Sequence, residues 1–290
     1  MKTPYAFMIL STIFYAINGT VDYVVIRHMP FGMSLLSISI GILAGVLAAG
    51  VVFGLRFRLP SARHYAFSAF SALMIVAYTV LILIAYLKYN LASIYPLIGL
   101  SAVVFFAIDY MKYHKSLKAK QSMVLLIGIL LIVIGIFYAE SNEYSFQLGT
   151  IPFIFGIAIF AGIGYYAQFY KIKSYSIGSK LLFQPIMLVP FSLLLVLFNP
   201  LGFSYYYFVL GLLGGFTFAF ASTLELRAMK ISTTRGVAKT VMKRNFINDF
   251  TYADTLLVLV GSIAIGSYYP IELLGAVFIV AGIVVIGKLQ

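Results

Sequence analysis

The sequence predicts an all-α integral membrane protein with ten transmembrane helices arranged as two inverted five-helix repeats. Three observations carry that prediction. The 290 residues are 62% hydrophobic and 10% charged, with a mean hydropathy of +1.04, too few charges to coat a soluble domain of this length. Apolar runs long enough to cross ~30 Å of hydrocarbon recur along the whole chain. The run from Leu125 through Gly128 to Gly135 also matches the run from Leu273 through Gly275 to Gly282, and 275 − 128 and 282 − 135 both give 147. That offset is close to half the chain and divides it into 1–145 and 146–290. Five spans per half is an odd number, so the second copy lies upside down relative to the first. Secondary transporters are built this way, with the site between the halves.

The spans of the first half are 5–26, 33–54, 65–87, 91–110 and 121–139; those of the second are 149–170, 181–198, 204–225, 236–265 and 270–287. The first is longer than a signal-peptide core and lacks an Ala-x-Ala-like exit, so it reads as a retained helix. Connections are short and leave no room for a soluble domain. Gly41 and Gly45 in span 2, and Gly211 and Gly215 in span 8, read as close-packing positions. One column of the repeat breaks its symmetry: Pro96 of span 4 corresponds to Lys243 of span 9.

Basic residues fix the expected orientation. Arg56, Arg58 and Arg63, then Lys112, Lys115, Lys118 and Lys120, then Lys171, Lys173 and Lys180, then Arg227, Lys230 and Arg235 all fall in connectors on one side. The other side has Arg27 and Lys88 with Glu140, Glu143 and Glu272. By the positive-inside rule both termini are cytoplasmic, and the expected location is the plasma membrane. The net charge of +12 is then mostly topology, and no nucleic-acid-binding module is visible. Zero Cys excludes disulfides, thiolate metal sites and Cys nucleophiles. Zero Trp with 22 Tyr leaves any interfacial aromatic belt to Tyr.

Span 9 carries the densest polar pattern. Lys239, Thr240, Lys243, Arg244, Thr251, Asp254 and Thr255 fall within about 160° of arc on a helix. A central charge facing lipid costs at least ~2.5 kcal/mol, so this face is expected to line water or a polar interior. The alternative is that span 9 begins near Phe250 and 231–249 forms a cytoplasmic amphipathic loop. A structural Lys243–Asp254 ion pair is disfavoured, because the two lie about 16 Å apart along a helix.

Span 1 carries Ser11, Tyr15, Asn18 and Asp22 at spacings that place them on one face. An intramembrane carboxylate is a functional candidate, so Asp22 and Asp254 are candidates for coupling. The alternative for Asp22 is an outer-interface carboxylate beside Arg27. Tyr78, Tyr165, Tyr166, Gln168 and Gln184 are further cavity candidates, and helix–helix hydrogen bonds explain the last four equally well. Glu225 near Arg227, and Asp109 near Lys112, read as edge ion pairs. His28, His64 and His114 have no ligand spacing, so no metal is expected. The run Gly282 to Lys288 fits the Walker A pattern until Leu289 and lies on an apolar helix end, which excludes nucleotide hydrolysis.

Ala85 through Asn90 to Pro96 resembles the passage from helix 3 into helix 4 in the drug/metabolite transporter superfamily. Gln121–Ile136 and Ile271–Ile286 resemble the Gly-punctuated helices 5 and 10 of its EamA-like ten-helix members. The resemblance covers essentially the whole chain. It implies a transporter that works without a cofactor. The Gly-Glu pair common at the ends of helices 4 and 9 is replaced by Ile108-Asp109 and Ile265-Gly266. Thr233-Thr234 followed by Val241-Met242-Lys243-Arg244 resembles a stretch of plastid phosphate translocators, and Lys243 alone resembles the motif lysine of nucleotide-sugar transporters. Both likenesses imply cationic side chains that hold phosphate, although span 1 here lacks a Lys to assist.

The expected function is alternating-access transport of a small polar organic metabolite, anionic and held by Lys243 and Arg244, with Lys239, Thr240, Thr251, Tyr15 and Asn18 beside them. The alternatives are export of neutral or zwitterionic solutes such as amino acids, or an intramembrane enzyme or lipid-handling protein, for which no catalytic constellation is visible. Expected partners are the solute, the lipid bilayer and a coupling proton or counter-substrate, in a monomer or homodimer. In this cysteine-free chain, Ser141→Cys should react with an impermeant thiol reagent added outside the cell. Reaction from the cytoplasmic side alone would contradict the topology.

Overall fold

The computed structural model of the chain describes residues 2–57, 62–101, 103–104, 107–108, 119–139, 141–142, 145–146, 151–170, 176–198, 202–234, 253 and 255–287. Long helices dominate: α1 (Lys2–His28), α2 (Phe31–Phe53), α3 (Ala62–Lys88), α4 (Leu91–Ile98), α5 (Ala119–Ala139), α6 (Ile151–Tyr170), α7 (Ile177–Phe198) and α8 (Tyr205–Thr234). After them come α9 (Thr255–Ala264) and α10 (Pro270–Gly287). A two-residue hairpin, β1 (Ser141–Asn142) with β2 (Ser145–Phe146), lies between α5 and α6. Among the described residues, six helices are long and apolar enough to cross a membrane: Tyr5–His28, Phe31–Phe53, Tyr65–Lys88, Gln121–Tyr138, Ile177–Phe198 and Tyr205–Ile231. The chain therefore has the make-up of a multi-pass membrane protein.

Local chemistry sets the helix ends. Gly54 (φ 60) and Gly266 (φ 67) adopt the left-handed conformation that closes α2 and α9. In each case the following N–H reaches back to the carbonyl five residues earlier, Leu55 to Gly50 at 2.9 Å and Ser267 to Ser262 at 2.8 Å, satisfying an orphan acceptor. At the start of α10, Pro270 takes the first helical position, and Glu272 Oε2 accepts the Tyr269 N–H at 2.7 Å, half of a capping box. Two sequence expectations are corrected: Arg227 and Lys230 lie on α8 and Lys180 on α7, rather than in loops. The stretch 226–234 contains Leu, Arg, Ala, Met and Lys with no Gly or Pro, so nothing ends the helix at the hydrocarbon edge.

Lipid is as apolar as Leu, so helices associate by packing and hydrogen bonds. The main pairings are α5–α10, α1–α8, α2–α8, α3–α6 and α2–α7. Contacts reveal their directions. Ser11 meets Ala221 while Asn18 meets Gly214, so α1 and α8 are antiparallel. Gly41 faces Leu212 and Gly45 faces Phe216, so α2 and α8 are parallel. The α3–α6 pair is antiparallel, through Ser71 with Gly164 and Gly156 with Leu81. So is α2–α7, through Gly32 with Leu195 and Arg56 with Gly178.

The glycines singled out by the sequence sit at the tightest crossings. A Cβ at Gly215 would strike the Ile38 carbonyl, one at Gly41 the Leu212 carbonyl, and one at Gly45 would lie 2.7 Å from Ala219 Cβ. Across α5–α10, a Cβ at Gly282 would lie 2.6 Å from Gly128 O, and one at Gly135 would lie 2.7 Å from Gly275 O. Among these helices Leu35, Ile94, Ile157, Leu188 and Leu226 are fully buried. Gly215→Val and Gly135→Val should each destabilise the protein by about 1–3 kcal/mol, the usual penalty for overpacking. Val51, 87% exposed, is the control. Thermal unfolding in detergent checks this, and an unchanged Tm for both glycine variants would contradict the packing.

Candidate functional site

The α1 stripe faces α8. Ser11 Oγ donates to Ala221 O at 2.8 Å. The Tyr15 hydroxyl donates to Glu225 Oε2 at 2.8 Å and lies 2.9 Å from Ser222 Oγ. Asn18 Nδ2 donates to Asp22 Oδ2 at 2.8 Å and to Gly214 O at 3.1 Å. Gly214 makes this approach possible, since a Cβ there would lie 2.6 Å from Asp22 Oδ1. Asp22 Oδ1 is buried and has no hydrogen-bond partner among the described residues. The spacing of four, three and four residues thus becomes a polar seam between two antiparallel helices.

One alternative and one expectation about carboxylates are set aside. Asp22 does not pair with Arg27, whose Nη2 donates to Tyr89 O at 2.8 Å and whose guanidinium lies 5.2 Å from the Tyr23 ring centroid. Glu225 does not pair with Arg227, which donates to Phe53 O at 3.1 Å and packs over the Phe7 and Phe53 rings. Two residues apart on a helix, Glu225 and Arg227 point in different directions. Neither Asp22 nor Glu225 has a basic partner among the described residues. An ionised carboxylate in a low-dielectric interior is costly unless neutralised. The seam is therefore suited to taking up a proton or a cationic group.

Tyr78 and Tyr165 join this region from α3 and α6. Their ring centroids are 6.5 Å apart, and Tyr165 lies within electrostatic reach of the Tyr15 hydroxyl. Tyr15 also meets Phe218 edge-on at 5.7 Å. The structure thus brings together Tyr15, Asn18, Asp22, Tyr78 and Tyr165 of the expected residues. It adds Ser222 and Glu225, which sequence reasoning missed because only the pairing of α1 with α8 reveals them. Lys239, Thr240, Lys243, Arg244, Thr251 and Asp254 lie outside the described residues, as do Asp109 and Lys112. Gln168 falls on α6, with its side chain also outside that set.

A second polar cluster ties two turns together at the opposite ends of α1 and α3 from their amino termini. Asn90 Nδ2 donates to Glu272 Oε1 and Oε2 at 3.1 and 3.2 Å, and the Leu91 N–H donates to Ser267 Oγ at 3.2 Å. This joins the α3–α4 turn to the α9–α10 turn.

No family model matches the chain, and no curated protein does either. A solved structure described only as "Crystal structure of protein" superposes on 98% of this chain and 96% of its own, with a TM-score of 0.62 at 15% identity. At that identity the likeness is one of fold. It extends over both chains almost entirely.

The Tyr15–Glu225 bond gives a direct test of the seam. Tyr15→Phe should cost about 1–3 kcal/mol by leaving the carboxylate without its donor. In a double-mutant cycle with Glu225→Gln the coupling should exceed about 0.5 kcal/mol. Additive losses in thermal unfolding would contradict the bond.

Proposed function

We propose that this chain is a ten-span secondary transporter of the EamA-like, drug/metabolite transporter kind. It moves a small polar organic metabolite across the plasma membrane by alternating access, with both termini cytoplasmic. One observation carries the reading: the α5–α10 contact is symmetric under exchange of the halves, residue by residue. Shifting by 147 turns the Gly128–Gly282 approach into Gly275–Gly135, and Gly135–Ile279 into Gly282–Ile132. A two-fold axis across two antiparallel helices is what an inverted repeat requires.

The same exchange takes α1–α8 to α6–α3 and α2–α8 to α7–α3, and each of these is a packed pair. The directions of α1, α2, α3, α6, α7 and α8 also alternate as successive crossings demand. Where the halves meet, the interior holds hydroxyls, an amide and carboxylates, which suits a polar solute and a water-filled path.

For the solute, Lys243 and Arg244 support an anionic group, held by a point charge and a planar fork. The Tyr15–Glu225 and Asn18–Asp22 pairs favour a second reading, a zwitterionic solute whose ammonium meets the acidic seam, or a proton carried there. A thermal-stabilisation screen with sugar phosphates, nucleotide sugars, amino acids and cationic drugs separates these. Stabilisation by phosphorylated metabolites supports the anionic reading and stabilisation by amino acids the zwitterionic one. No ligand effect, and no solute uptake in proteoliposomes, would contradict transport. With the true solute, Lys243→Gln and Arg244→Gln should each weaken binding about ten- to a hundredfold, whereas Lys171→Gln should change it little. Parent-like binding by both would remove the anion site.

A further inference from the structure

The geometry points to a binding site for a single anionic phospholipid on the face of α8 that α1 and α2 flank. At ~100° per residue, Phe216, Phe220 and Arg227 fall within about 40° of arc and form one stripe along α8. Phe220 is the hub of an aromatic cluster. It stacks on Phe216 with centroids 4.8 Å apart, and it meets Phe14 of α1 at 6.3 Å and Phe53 of α2 at 5.9 Å. Phe216 is 36% exposed, and Phe14, Phe53 and Phe220 are half-buried, so the cluster faces the surrounding lipid rather than the core. From Phe216 to Arg227 is about 16 Å along the helix, close to one leaflet of a ~30 Å hydrocarbon core.

Arg227 stands at the end of that stripe, near the close of the apolar span Tyr205–Ile231. Its guanidinium is held in place. It donates to Phe53 O, the last carbonyl of α2, at 3.1 Å, and lies 5.1 Å from the Phe53 ring centroid and 5.9 Å from that of Phe7. Among the described residues this is its one hydrogen bond, and a guanidinium carries further N–H donors in a planar fork. The described acids are engaged elsewhere, Glu225 by Tyr15, Asp22 by Asn18 and Glu272 by Asn90. An Arg that merely snorkels extends its head into water; this one is anchored over two rings and a helix end. A fixed fork without a described acid, at the end of a leaflet-long aromatic stripe, fits a lipid phosphate whose acyl chain lies on the rings. Its positive charge favours an acidic headgroup over a zwitterionic one.

The site depends neither on which solute is moved nor on transport itself. Zero Trp in the chain makes Phe216→Trp a single fluorescent reporter that keeps an aromatic ring on the stripe. The full-length protein is reconstituted in phosphatidylcholine vesicles. Quenching by a small fraction of bromine-labelled phosphatidylglycerol is compared with quenching by the same fraction of bromine-labelled phosphatidylcholine. The ratio should favour phosphatidylglycerol about tenfold, the worth of one charge-assisted hydrogen bond. Leu126→Trp on α5, at a 66% exposed position, is the control and should show no preference. Arg227→Gln, introduced into the Phe216→Trp reporter, should abolish the preference. If that variant fails to fold, Arg227→Lys keeps the charge without the fork and should lower the ratio about threefold. Four results would overturn the proposal: no preference in the parent reporter; an equal preference at Leu126→Trp, meaning diffuse attraction to a basic surface; a preference that survives both substitutions at Arg227; or a preference lost when inorganic phosphate replaces chloride at equal ionic strength, meaning a site for a dissolved anion.

Discussion

The fold depends on helices approaching until their backbones touch. In a bilayer there is little hydrophobic drive to bring one apolar helix onto another, so close packing and a few hydrogen bonds hold the bundle. Gly41, Gly45, Gly211 and Gly215 allow this for α2 and α8. Gly128, Gly135, Gly275 and Gly282 allow it for α5 and α10. The second set is also the clearest part of the internal repeat. The contact between them is symmetric under the same offset of 147 that relates their sequences.

Holding α8 tightly against α1 and α2 has a consequence for the polar residues between them. The Asn18–Asp22 and Tyr15–Glu225 pairs are enclosed by the approach that the glycines permit, and Gly214 gives up its side chain to make room for Asp22. At the α2–α8 crossing, Gly215 and Ser37 shift by 147 onto Ser68 and Gln184 of α3 and α7, which line a small cleft. The acidic α1–α8 seam itself shifts onto α6 and α3, where Gly162, Tyr165, Phe169 and Tyr78 stand in place of Tyr15, Asn18, Asp22 and Glu225. Under the proposed function, two related halves that differ in this way are the physical starting point for alternating access.

Much of this was legible in the sequence. Apolar runs located the helices, because only a helix satisfies its own backbone in lipid. The glycines related by an offset of 147 meet across α5–α10, and the stripe at Ser11, Tyr15, Asn18 and Asp22 correctly placed four side chains on one face. Helix ends were less legible, since Arg227, Lys230 and Lys180 are good helix formers and charge alone does not stop a helix. Partners across the bundle were not legible at all. Glu225 looked like a partner for Arg227 because they are near in sequence, whereas the fold brings Tyr15 to it from 210 positions away. The Asn90–Glu272 link likewise joins residues 182 positions apart.

The central claim is that the two halves exchange conformations around the α5–α10 crossing. Single cysteines at the repeat-related positions Ser37 and Gln184, in separate proteins reconstituted in vesicles, test it most directly. Their reactivity toward thiol reagents is followed as a saturating solute gradient is applied from either side. The account predicts reciprocal change, with one position gaining reactivity as the other loses it, and reversal when the gradient is reversed. Reactivities that stay fixed, or that rise and fall together, would contradict it.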